Sequence, residues 1–164
     1  MNSSSVTQSC GSAERDSASQ HHVLVADDDS DFRQLVSKVL HNAGYRVTEA
    51  ASGAELIECL RLDDNESSWT VMFDVVVTDV RMPGVTGLSV AEALGSLHCA
   101  DRVILISAFA DDRLQAQAAR IGVPRVLAKP FSLDLLITAV QSVLASKPAG
   151  AAGTASPNST SMVP

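Results

Sequence analysis

The sequence predicts an α/β fold, a doubly wound parallel sheet of five strands with five helices, and three observations carry that reading. Short β-branched runs alternate with amphipathic stretches five times between residues 22 and 145. The runs Val23-Leu24-Val25-Ala26, Val75-Val76-Val77 and Val103-Ile104-Leu105-Ile106 are continuously apolar, as strands covered by helices on both faces must be. Chemistry-bearing residues stand where those runs end: Asp27-Asp28-Asp29, Asp79, Ser107 and Lys129.

The first strand is Val23–Ala26. A helix follows from Ser30 or Asp31, with Phe32, Leu35, Val36, Val39 and Leu40 expected on one apolar face and Gly44 closing its C-terminus. The second strand is Arg46–Ala50, and Ser52 caps a helix carrying Leu56, Ile57 and Leu60. Residues 63–70 are polar and read as a loop, with Trp69 expected to pack against the fold. The third strand is Asp74–Thr78, followed by Asp79; Pro83-Gly84 forces a turn before a helix from about Leu88 to Leu97. The fourth strand is Val103–Ile106, with a helix over Asp111–Ile121. The fifth is Arg125–Ala128; Pro130 stops it, and Ser132 caps a last helix carrying Leu135, Leu136, Val140, Val143 and Leu144.

Length and composition fit one domain with flanking tails. Of 164 residues, 46% are hydrophobic but only 4% aromatic, so the core must be built from Val, Leu, Ile and Ala. Residues 1–21 and 146–164 are rich in Ser, Ala, Gly and other small or polar types. They hold too little apolar surface to offset their ordering entropy and are expected to be disordered. A net charge of -7 makes direct nucleic-acid binding a poor expectation. No apolar run approaches the ~20 residues that cross a bilayer, and no secretory signal is visible, so no membrane insertion is expected. Cys10, Cys59 and Cys99 show no metal or redox spacing and fit a reduced cytoplasm.

In doubly wound sheets, ligands bind at the carboxyl ends of the strands. Carboxylates gathered there repel one another unless a cation joins them. A hard divalent ion with oxygen ligands suits such a set, Mg²⁺ above all when phosphate is involved. A lysine and a hydroxyl are then left to hold phosphoryl oxygens, and aspartate is a competent nucleophile for phosphoryl transfer. Each group alone has an ordinary explanation: helix start, turn residue, loop serine or surface lysine. Their joint arrival from separate strand ends is what points to a site.

Together these segments resemble the receiver domain of bacterial two-component response regulators over residues 22–145. The matching stretches are Val23–Asp29, Val76–Gly84 with Gly87-Leu88, Val103–Ala108 and Ala128–Phe131. The resemblance implies a flavodoxin-like sheet of order 2-1-3-4-5. Asp79 would attack phosphorus and carry the acyl phosphate. Asp28, Asp79 and the backbone carbonyl of Arg81 would ligate Mg²⁺, with Asp27 acting through water in the outer shell. Ser107 and Lys129 would bind phosphoryl oxygens, Lys129 stabilising developing charge. The Lys129–Pro130 bond would be cis. A sensor histidine kinase or a His phosphotransfer protein would supply the phosphoryl group, and a downstream protein would read the result. Where the family often carries Tyr or Phe three residues before the lysine, this chain has Val126, which offers no aromatic switch.

No output domain is expected after residue 145, so the chain should act by partner binding or onward phosphotransfer, not as an enzyme in its own right. Two other readings compete. An Asp-nucleophile phosphatase needs a second aspartate two residues on, where Arg81 stands. A phosphorylation-independent interaction module would have little use for the intact acidic pair, Asp79, Ser107 and Lys129, and only Val126 leans that way.

Overall fold

The computed structural model describes residues 20–60 and 73–146. The expected loop at 63–70 with Trp69, Cys10 and nearly all of both tails lie outside the described residues. The strands are β1 (His22–Ala26), β2 (Arg46–Ala50), β3 (Val75–Asp79), β4 (Val103–Ser107) and β5 (Arg125–Ala128). All neighbours pair in parallel, in the order β2-β1-β3-β4-β5, as the resemblance implies. The helices are α1 (Ser30–Asn42), α2 (Gly53–Leu60), α3 (Gly87–Ser96), α4 (Asp112–Ile121) and α5 (Leu133–Ala145), with a short 3-10 turn at Ala100–Arg102 that no sequence pattern announced.

Strand periodicity splits the core in two. Leu24, Ala26, Val76, Val103 and Leu105 face one layer with Leu56, Leu60, Val90, Leu94 and Ala118 of α2, α3 and α4. Val23, Val25, Val75, Val77, Ile104 and Ile106 face the other, against Val36 and Leu40 of α1 and Leu136, Val140 and Val143 of α5. Because both faces are covered, the central strands are buried along their whole length and apolar except for His22, Thr78, Asp79 and Ser107.

Local capping fixes the helix ends. Asp29 accepts from the Asp31 and Phe32 N–H groups at the start of α1, and Thr86, Asp111 and Ser132 cap α3, α4 and α5 in the same way. Ser52 accepts from the Glu55 N–H while Glu55 accepts from Ala51, a near capping box for α2. At the end of α1, Ala43 is the cap and Gly44 follows at φ +93°. The Gly44 and Tyr45 N–H groups donate to the His41 and Leu40 carbonyls, a Schellman closure that favours glycine.

Three expectations need correction. Leu35, expected on the apolar face of α1, and Leu135, expected among the apolar residues of α5, are each 47% exposed. The apolar stripes of α1 and α5 are narrower than a hydrophobicity count suggests, and both leucines sit at their margin. The third strand starts one residue later than expected and includes Asp79. Asp74 precedes it, its carboxylate accepting from the His22 N–H.

Ser37 adds a feature without a sequence signal. Its hydroxyl is buried in α1 and finds no hydrogen-bond partner among the described residues. Ser37→Ala should therefore stabilise the fold by about 0.5–1 kcal/mol, from better helix propensity and removal of an unsatisfied group. Urea denaturation should show a higher midpoint at unchanged slope; a lower midpoint would mean that the hydroxyl has a partner.

Candidate functional site

β1, β3, β4 and β5 deliver their last residues to one edge of the sheet. Asp27 follows β1 and is 2% exposed; Asp79 ends β3 and is 7% exposed. Ser107 ends β4 and is buried, and Lys129 follows β5. The Lys129 ammonium bridges the two buried carboxylates, donating to Asp79 Oδ1 at 2.8 Å and to Asp27 Oδ2 at 2.9 Å. Thus residues from three strand ends, far apart in the chain, meet at a single nitrogen.

Each carboxylate is also held by the main chain. The Arg81 N–H donates to Asp79 Oδ2 at 2.6 Å, and the Asp29 N–H donates to Asp27 Oδ1 at 2.9 Å. Ser107 Oγ accepts from the Phe109 N–H at 3.1 Å, and the Ser107 carbonyl accepts from the Lys129 N–H at 2.8 Å. The Lys129–Pro130 bond is cis, as the resemblance implies. Asp28 is exposed beside this cluster, and Asp29 serves as the α1 cap.

The electrostatics follow from burial. Desolvation pushes the Asp27 carboxyl above its ordinary range. The hydrogen bonds from Lys129 and the Asp29 N–H pull it back only in part. Burial works against the charge on Lys129, but the hydrogen bonds it donates to Asp79 and Asp27 outweigh it and hold the ammonium above its usual value. One cation is therefore shared by two buried carboxylates, with a third, Asp28, at the edge.

That imbalance bears on Mg²⁺. Among the described residues no three His, Cys, Asp or Glu side chains gather to hold a metal by themselves. Mg²⁺ does not ask for that; it takes one or two carboxylates, other oxygens and several waters. Asp28, Asp79 and the Arg81 carbonyl would be hard oxygen donors of this kind, and two buried carboxylates sharing one ammonium leave negative charge that favours a dication. The donor set fits.

Several neighbours were missed by sequence reasoning. The Phe32 ring, expected only as core, lies 4.2 Å from Lys129 Nζ and meets Phe131 edge-on at 5.9 Å between centroids. Lys129 is thus walled on one side by an aromatic face. Phe109 is 63% exposed, and the Arg81 guanidinium sits 4.7 Å from its ring centroid. Those two residues border an open cleft of about 240 Å³ that reaches Ser107, with Asp111, Arg113 and Gln117 on its far side. Arg33 of α1 donates to the Asp27 carbonyl and to Glu49. Strand-end logic finds residues adjacent to strands; these reach the site from helices and loops and leave no spacing signal. Val126 is half-buried in β5, packed against the α2–α4 layer.

Comparison with known proteins is consistent across sequence and structure. Residues 23–141 match the response regulator receiver domain model. The chain is 34% identical over 119 residues to the DNA-binding transcriptional regulator NtrC of Escherichia coli K12, covering 73% of this chain but 24% of that protein. It therefore spans about a quarter of that relative's length. It is 30% identical over 122 residues to the response regulator receiver protein CpdR of Brucella abortus, covering 74% of this chain and 95% of CpdR. Among solved structures, the response regulator protein TrrA of Thermotoga maritima, in complex with Mg²⁺ and BeF, superposes with a TM-score of 0.64 at 26% identity. It covers 76% of this chain and all of its own.

Proposed function

This chain belongs to the response regulator receiver domain family, and from that premise we propose that it accepts a phosphoryl group on Asp79 from a phosphohistidine in a Mg²⁺-dependent reaction. The observation that carries the proposal is the Lys129 ammonium bridging Asp79 and Asp27, with the Ser107 hydroxyl on the adjoining strand end.

An Asp79 carboxylate oxygen attacks phosphorus, and the bond from phosphorus to the donor imidazole nitrogen breaks. The electron pair leaves with that nitrogen, which takes up a proton. Asp79 is oriented for this by the Arg81 N–H and by Lys129. Once the acyl phosphate forms, Lys129 exchanges a carboxylate partner for a phosphoryl oxygen, and the Ser107 hydroxyl donates to another. Bound Mg²⁺, held by Asp28, Asp79 and the Arg81 carbonyl with Asp27 behind a water, would neutralise charge on the transferred group.

The added charge of about -1.5 to -2 then biases the surface around α4, β5 and α5. With Val126 in place of a ring, coupling runs through Ser107 and Lys129 themselves. A sensor histidine kinase or phosphotransfer protein is the donor, and a downstream protein is the reader. Receiver domains are phosphoacceptors and not enzymes in the ordinary sense; for this one we expect slow self-dephosphorylation at most. The reading carries a cytoplasmic location with it. No helix among the described residues is long and apolar enough to cross a membrane.

Incubation with phosphoramidate and Mg²⁺, followed by intact mass, tests the proposal. Wild type should gain one phosphoryl group, EDTA should suppress the gain, and Asp79→Asn should abolish it. An undiminished adduct in Asp79→Asn, or sustained turnover of a phosphomonoester, would refute it.

A further inference from the structure

Arg33 stands outside the reacting groups, yet it is tied to them more closely than a surface arginine needs to be. Its side chain is only 13% exposed. Nη1 donates to the Asp27 main-chain carbonyl at 2.6 Å, and Nε donates to Glu49 Oε2 at 3.2 Å. The guanidinium fork thus joins the end of β1 to β2 from the close of the first turn of α1, a task suited to its rigid, planar donors. The carbonyl it holds belongs to the peptide that links Asp27 to Asp28. On the other side of Asp28, the Asp29 N–H is bonded to Asp27 Oδ1 and the Asp29 carboxylate caps α1. The main chain is therefore fixed before and after Asp28, while the Asp28 carboxylate itself is left exposed.

We propose that Arg33 is a positioning residue for divalent-metal binding, setting the Asp27–Asp28 peptide so that Asp28 presents its carboxylate in a ligating direction. The inference rests on the reading of Asp28 as a Mg²⁺ ligand and deepens it. Two opposed effects make it decidable. As a bare positive charge near the site, Arg33 repels a dication, and its removal would tighten binding. As a positioning group, its removal loosens binding, because supports of metal ligands commonly govern affinity.

The experiment is a Mg²⁺ titration of the full chain without phosphodonor, followed by amide chemical shifts. The variants are Arg33→Gln, Arg33→Lys and the distant core variant Val143→Ala as a stability-matched control. Arg33→Gln should weaken Mg²⁺ binding roughly 10-fold. Arg33→Lys, which keeps the charge but not the fork, should show a smaller loss, and Val143→Ala should bind as wild type does. Phosphoramidate labelling of Arg33→Gln should need correspondingly more Mg²⁺ for half its maximal rate, with the rate at saturating Mg²⁺ close to wild type.

Unchanged or tighter binding in Arg33→Gln overturns the inference, as does an equal loss in Val143→Ala. Should Arg33→Gln not fold, wild-type affinity in Arg33→Lys overturns it. Failure of the wild type itself to bind Mg²⁺ or take up phosphate is a separate result, which removes the parent reading.

Discussion

Gly87→Ala should lower the melting temperature by about 10 °C and slow phosphorylation of Asp79 by at least an order of magnitude. The usual expectation has the opposite sign, since Ala is worth up to about 1 kcal/mol over Gly inside a helix. Gly87 opens α3 directly under the acceptor strand. A Cβ there would overlap the Asp79 carbonyl oxygen and come within 2.6 Å of Thr78 Oγ1. The obstruction is backbone, so no side chain can rotate away, and β3 or α3 must shift. Overpacking of this kind costs about 1–3 kcal/mol or more, which outweighs the propensity gain. The shift displaces the residue that must attack phosphorus, so the rate falls even where the fold survives. Thermal unfolding together with phosphoramidate labelling would check it; a variant more stable than wild type with normal labelling would contradict the packing.

Lys129→Met should destabilise the fold by about 2–4 kcal/mol near neutral pH and all but abolish phosphoryl transfer. Methionine keeps most of the stem but leaves Asp27 and Asp79 facing each other in a buried site without their shared cation. The Lys129 side chain is 25% exposed, which holds the cost to the lower part of the range for broken buried pairs. The pH dependence has a definite sign. Burial already raises the Asp27 carboxyl in the folded state, so this group holds its proton more readily there than in the unfolded chain, and its contribution to stability grows as pH falls. Removing Lys129 removes a group that opposed this rise. The deficit of Lys129→Met should therefore be largest from neutral pH upward and shrink as pH falls toward the carboxylate range. Urea melts across that range would reveal it; a deficit independent of pH would mean that the carboxylates are not the cause.

The sheet was legible because its physics is local. Continuous apolar strands require cover on two sides, and Val75–Val77 or Ile104–Ile106 cannot be accommodated on a half-exposed sheet. The reacting groups were legible because a parallel sheet brings its strand ends to one edge, so Asp27, Asp79, Ser107 and Lys129 could be grouped before any contact was seen. The contacts themselves were not. Nothing in the spacing tells that Lys129 bridges both carboxylates, that Phe32 turns from core residue to a wall beside Lys129, or that Arg33 reaches back to Asp27. These depend on how α1 is rotated and tilted over the sheet. Leu35 and Leu135 failed for the same reason: a helical stripe defines a face, but packing decides how much of it is covered.

Asp79, and no other carboxylate of the cluster, is proposed to form the acyl phosphate. Borohydride reduction of the phosphoramidate-treated protein converts an aspartyl phosphate to homoserine, which peptide mass spectrometry can locate. Homoserine at position 79 alone is the expected result; homoserine at Asp27 or Asp28 with position 79 still aspartate would contradict the account.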